Sequence, residues 1–182
     1  GKGGETKGSY DIIDIISKLK NKFYFAYITN PSAINELKNY AFKKNIENKI
    51  KFIKFVSNAE IAKFIKASYI TCFLERDFPI EIHGPIIPRE VLSVGTCLVI
   101  SEEIYEKQFF IEKLKNQQNV IVVNPKEHNN TATHIDMLLK DKNTTERIGK
   151  AGYKIFNEFN DHNSYIESFC NLFSTVIQKK QD

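Results

Sequence analysis

Cysteine, arginine and histidine are scarce in this chain of 182 residues, and each shortage removes a class of function. The three cysteines, Cys72, Cys97 and Cys170, are odd in number and far apart. They form no disulfide framework and no CxxC pair, so a reducing cytoplasm is the expected compartment. Cys72 and Cys97 sit in apolar runs, where a thiol packs as a small hydrophobe. None of His83, His128, His134 and His162 has zinc-ligand spacing. Arginine is confined to Arg76, Arg89 and Arg147, and the net charge of +4 is carried by lysine. Sequence-specific readers of DNA rely on arginine forks, so nucleic acid is not an expected partner. No signal peptide and no apolar run of about 18 residues is present, so no membrane span is expected. An initiator methionine is also lacking, and the chain is expected to be a piece of a longer protein.

What is present alternates. Hydrophobic content of 42% and charged content of 26% suit a single globular domain. Ile12, Ile13, Ile16 and Leu19 recur at helical spacing. FYFAYIT (23–29) then reads as a buried strand, and Asn30-Pro31-Ser32 starts a helix with Ser32 as N-cap. IKFIKFV (50–56) is the next strand, followed by a capping box, Ser57 to Glu60, in which two side chains satisfy two backbone donors reciprocally. SYITCFL (68–74) is another strand. A loop rich in proline and charge runs to about Pro85, and a helix over 86–94 stops at Gly95. CLVIS (97–101) and NVIVV (119–123) are further strands. From about Asn130 the chain reads as helices, with breaks near Asp141–Thr145 and Asn160–Asn163. Strands separated by helices predict a doubly wound α/β domain, a parallel sheet with helices on both faces. Ligands of such folds bind at the C-terminal ends of the strands. The loops at 1–8, 29–33, 56–58, 75–90 and 101–108 are therefore the candidate site.

Two of these loops carry chemistry. GKGGETKGSY (1–10) places lysines among glycines, which lets backbone N–H groups and a charge approach a phosphate. It fits neither a P-loop nor a dinucleotide fingerprint, because Lys7 precedes Gly8 and Thr6 stands where the last glycine would be. PIEIHGPIIPREVLSVGTCLVIS (79–101) places Glu81 and His83 in a loop and Glu90 in the first turns of a helix, where the dipole favours a carboxylate. Glu102, Glu103 and Glu106 read as a charged, solvated helix. His128 and His134 flank a helix start and read as surface residues.

Taken together the two motifs resemble the C-terminal domain of retaining GT-B glycosyltransferases of the family-4 type. Gly1-Lys2-x4-Lys7-Gly8 is similar to that family's Gly-Arg-x4-Lys-Gly loop, with Lys2 at the arginine. Glu90-Val-Leu-Ser-Val-Gly95-Thr-Cys-Leu-Val-Ile-Ser101 is similar to its Glu-Ala-x-x-x-Gly-x-Pro-Val-Val-x-Ser run, with Cys97 at the proline. IKFIKFVSNAEIAKFIKAS looks like the strand, loop and helix before that run, and TERIGKAGYKIFNEF like the closing helices. Three departures stand out. Lys2 replaces arginine, Lys54 falls where the family often has glycine, and Glu81 and Glu90 are separated by eight residues rather than seven. Either the loop holds one extra residue or Glu81 does not play the first glutamate's part.

The resemblance implies a Rossmann-like half of a GT-B fold that binds a UDP- or GDP-sugar without a metal or other cofactor. Lys2 and Lys7 would then stabilise the leaving diphosphate, a catalytic role, because fixed cations aimed at developing charge lower the barrier. Glu90 would hold the ribose hydroxyls. Glu81 or His83, with the amides near Gly84, Pro85 and Ile86, would hold the sugar or its phosphate. The acceptor, a glycan or a lipid-linked molecule, would belong to an N-terminal domain not in this chain. The family's glycine loop follows a central strand, so the sheet is expected to have a gap beside FYFAYIT. An eroded, non-catalytic nucleotide-sugar module and a nucleotide-sugar epimerase are the alternatives. Lys38, Lys43, Lys44, Lys49 and Lys51 read as a solvated helical face, and it is the lipid-linked acceptors implied by the resemblance that make peripheral association with the inner face of a membrane a further expectation.

Overall fold

The computed structural model describes residues 3–81, 83–159, 166–167 and 169–174. From Ser9 to Phe159 the elements alternate as the apolar periodicity predicts. They are α1 (Ser9–Ser17), β1 (Phe25–Thr29), α2 (Pro31–Lys43), β2 (Ile50–Lys54), α3 (Asn58–Ala67) and β3 (Ile70–Phe73), followed by α4 (Ile87–Ser93), β4 (Cys97–Ser101), α5 (Glu102–Glu106), β5 (Ile121–Val123), α6 (His128–Lys140) and α7 (Lys142–Phe159).

Every strand pairing is parallel, as a chain of strand–helix–strand crossovers requires. The strands fall into two sheets, one with order β1-β2 and one with order β3-β4-β5. β4 is central in the second, and all five of its residues are buried. Its side chains alternate between two cores. Cys97 and Val99 join a cluster built with α1, α2 and α6. Leu98 and Ile100 join a cluster built with α3, α4, α5 and α7. The chain is thus layered helix–sheet–helix, and a continuous apolar run suits a strand covered on both faces.

β1 is less buried than its sequence suggests. Only Thr29 of the strand is buried, and Tyr24 just before it is 80% exposed. Phe25, Tyr27 and Phe52 pack against the α1–α2 side, while the register partners Ala26 and Lys51 on the opposite face are exposed. The strand reads as buried because its outward residues, Tyr24 and Ala26, are not charged.

Helix starts follow their capping chemistry. Ser57 and Glu60 form the predicted capping box. α2 starts two residues early, at Pro31, because the Asn30 side chain accepts from the Ser32 amide and so takes the capping role expected of Ser32. The expected break around 141–145 shrinks to Asp141, whose carboxylate accepts from the Thr144 amide and starts α7. The second expected break, 160–163, lies outside the described residues.

α7 closes the fold by lying directly on β4 and α4. Gly149 makes this approach possible. A Cβ there would sit 2.2 Å from the Gly95 carbonyl oxygen and 3.1 Å from the Cys97 nitrogen. Both obstacles are backbone, which cannot rotate away. Gly149→Ala is therefore expected to destabilise the domain by about 1–3 kcal/mol. A urea midpoint unchanged from native would contradict that packing.

Candidate functional site

The glycine loop lies across the C-terminal ends of both sheets. Gly3, Gly4 and Gly8 take positive φ values of 79, 115 and 64°. A Cβ on Gly3 would meet Thr29 Oγ1, at the end of β1, at 3.2 Å. A Cβ on Gly8 would sit 2.1 Å from the carbonyl oxygen of Leu74, just after β3. The loop is fastened there, because the Arg76 amide donates to the Thr6 carbonyl at 2.9 Å. Gly8 then begins α1 with no side-chain cap on the helix. Lys2 lies outside the described residues.

Lys7 projects from this loop onto Glu75. Its Nζ is 2.7 Å from Glu75 Oε1 and 4.2 Å from the centre of the Phe78 ring. The second carboxylate oxygen, Oε2, lies 2.8 Å from Nε2 of His83. His83 in turn stacks on Phe78, with ring centres 3.8 Å apart and planes 18° apart. The Glu75 side chain is 6% exposed, against 19% for Lys7 and 24% for His83. A shielded carboxylate thus holds the glycine loop and the acidic loop together.

A second shielded carboxylate supports the first. Asp11, in the first turn of α1, accepts from Arg76 Nε at 2.7 Å and lies 3.1 Å from His128 Nε2. The Asp11 and Asp77 carboxylates hold the Arg76 guanidinium protonated well above its ordinary value. His128, read from the sequence as a surface residue, instead ties α6 to α1 as the first residue of its helix.

The acidic loop is pinned from the other side as well. Glu103 Oε1 accepts from the Phe78 amide at 3.1 Å and from Lys107 at 2.6 Å. Glu103 therefore acts as a loop tether, not the solvated helix residue that its sequence context suggests. Glu81, Gly84 and Ile86 are exposed, and Pro85 is half-buried. Glu90 lies in the first turn of α4, half-buried, and its Oε2 is shielded from water with no hydrogen-bond partner among the described residues.

The fold thus unites Lys7 and His83 at Glu75, while neither Glu81 nor Glu90 joins that cluster among the described residues. Sequence reasoning missed Glu75, Phe78 and Asp11. Glu75 carried one usable signal, as the first charged residue after the apolar run SYITCFL. The cysteines offer no alternative chemistry in the core, because burial pushes the Cys72 and Cys97 thiols up to about 12. Among the described residues no group of side chains is arranged to hold a metal ion, and no helix is long and apolar enough to cross a membrane.

Comparison with known proteins follows the same lines. Residues 2–155 match the family model for glycosyl transferases group 1. No curated protein matches the chain. Among solved structures, the Anabaena protein Alr3699/HepE, determined in complex with UDP, superposes with a TM-score of 0.81 at 17% identity, over 96% of this chain and 47% of its own. Sucrose-phosphate synthase from Thermosynechococcus elongatus gives 0.82 at 13% identity, over 98% of this chain and 44% of its own. The C-terminal domain of a glycosyl transferase group 1 family protein, LpcC, from Francisella tularensis gives 0.72 at 20% identity, over 87% and 82%. At these identities the likeness is one of fold. The chain spans about half the length of the first two structures, and most of the isolated C-terminal domain.

The tether at Glu103 has a pH signature. Burial raises its carboxyl, but Lys107 and the Phe78 amide outweigh that and hold it below the ordinary value of 4.5. The tether is therefore present above the ordinary value and is lost as pH falls through the lower, folded one. The Phe78 amide resonance is expected to titrate with a midpoint below 4.5, and to lose that titration in Glu103→Gln. A midpoint at or above 4.5 would contradict the tether.

Proposed function

The chain belongs to the glycosyl transferases group 1 family, and from that premise we propose that it is the donor-binding domain of a retaining enzyme that moves a sugar from a UDP- or GDP-sugar to a hydroxyl. The observation that carries the reading is the Glu90 carboxylate oxygen, shielded from water and without a partner at the start of α4. A buried acceptor left unsatisfied costs stability, and a ligand that donates to it recovers that cost. A ribose diol supplies two donors. The complex of the Anabaena structure with UDP supports the same ligand class, as does its complex with UDP-glucose.

Breaking the bond from sugar to diphosphate leaves negative charge on the phosphates and positive character on the sugar. Lys7, held at the ends of the strands by the glycine loop, supplies a fixed cation to the phosphates, and Lys2 supplies a second. The Gly4, Gly8 and Ser9 amides are bonded within the turn, so the second and third amides of α1 add the donors of the same sign. Glu81 and His83, with the backbone from Gly84 through Pro85 to Ile86, contact the sugar and its phosphate. Lysine at position 2 is a point charge where arginine would be a fork, so it grips the diphosphate less rigidly. No metal or other cofactor enters this scheme. The acceptor, a glycan or lipid-linked hydroxyl, is bound by a separate domain in the cytoplasm or at the inner face of a membrane.

Titration calorimetry with UDP and GDP tests the reading. Glu90→Ala is expected to weaken binding of the preferred nucleotide by about tenfold, the loss of about one charge-assisted hydrogen bond. Lys2→Arg is expected to tighten it. These 182 residues alone are expected to transfer no sugar. No binding of either nucleotide at millimolar concentration would favour an eroded, non-catalytic module instead.

A further inference from the structure

Glu75 belongs to neither of the motifs from which the donor site was read, yet it contacts both. Its Oε1 is 2.7 Å from Lys7 on the glycine loop, and its Oε2 is 2.8 Å from His83 on the acidic loop. Its own backbone carbonyl accepts the hydroxyl of Ser101, a fully buried residue that also caps α5. The Glu75 backbone is therefore fixed from behind, and its carboxylate is divided between two loops in front.

An ionised carboxylate only accepts hydrogen bonds. His83 must accordingly present an N–H at Nε2, which leaves Nδ1 for other contacts. Stacking on Phe78 fixes the plane of the ring. Lys7 has three N–H donors and Glu75 takes one, while Phe78 limits the swing of the ammonium. Each group is half-committed to the protein, with its remaining atoms available to a ligand.

We propose that Glu75 is a positioning residue of the donor site, which aims Lys7 and the Nδ1 side of His83 at the bound nucleotide diphosphate sugar. This rests on the reading of Lys7 and His83 as donor contacts. Glutamine at position 75 keeps the shape but has one acceptor oxygen where glutamate has two. It can accept from Lys7 or from His83 but not from both, and its NH2 group turned to His83 would require the opposite tautomer, with the proton on Nδ1.

The test is a double-mutant cycle in the intact protein, read by UDP calorimetry. Glu75→Gln is expected to weaken UDP by about tenfold in the native background. In Lys7→Met the single remaining acceptor suffices for His83, so adding Glu75→Gln is expected to cost less than about twofold. Equal penalties in both backgrounds would overturn the proposal and leave the donor reading standing. If Lys7→Met alone leaves UDP affinity unchanged, the reading of Lys7 as a donor contact falls and the proposal with it, while the nucleotide binding itself still stands. A second measurement needs no nucleotide. Long-range nitrogen–proton NMR of neutral His83 is expected to show the proton on Nε2 in the native protein and a mixture of tautomers in Glu75→Ala. A proton on Nδ1 in the native protein, or no change in the variant, would overturn the proposal.

Discussion

The close approach of Gly8 to the Leu74 carbonyl decides where every other group at the strand ends can be. A Cβ at Gly8 would come within 2.1 Å of that oxygen, so the loop can lie flat on the end of β3 only because the residue has none. With the loop seated, the Arg76 amide reaches Thr6 and the Arg76 guanidinium reaches Asp11 in the first turn of α1. The same seating turns Lys7 inward to Glu75. Gly3, at the other end of the loop, rests by Thr29 and Ala33 beside β1. The glycine loop thereby bridges the ends of two sheets that do not pair with each other among the described residues.

Charge at these strand ends is organised around two shielded carboxylates. Asp11 binds Arg76 and His128, and Glu75 binds Lys7 and His83. A buried anion with one cation removed is costly, so each pair holds the loops it joins. The contrast is Glu90, whose inner oxygen has no such partner among the described residues. Two carboxylates are satisfied by the protein, and one is left for something else. On the reading proposed above, that division leaves Glu90 for the nucleotide and gives Asp11 to architecture and Glu75 to the positioning of Lys7 and His83.

Much of the fold was legible because it depends on local pattern. The run CLVIS is apolar throughout, and β4 is buried throughout. The Ser57–Glu60 box sits where its spacing put it. The glycine loop and the helix ending at Gly95 were recognisable from residues within a few positions of each other. The carboxylate clusters were not. Lys7 and Glu75 are 68 residues apart, and Asp11 and His128 are 117 apart. No periodicity links such pairs, so His128 looked like a surface residue and Glu103 like a solvated one. The exposure of β1 was hidden for a related reason, since a short apolar strand reads the same whether one face or both are covered.

The structure of the intact protein crystallised with UDP or GDP tests the central claim most directly. The account predicts the diphosphate against Lys7 and the Gly3–Gly8 loop, with the ribose hydroxyls donating to Glu90. A nucleotide bound away from both the glycine loop and Glu90 would contradict it.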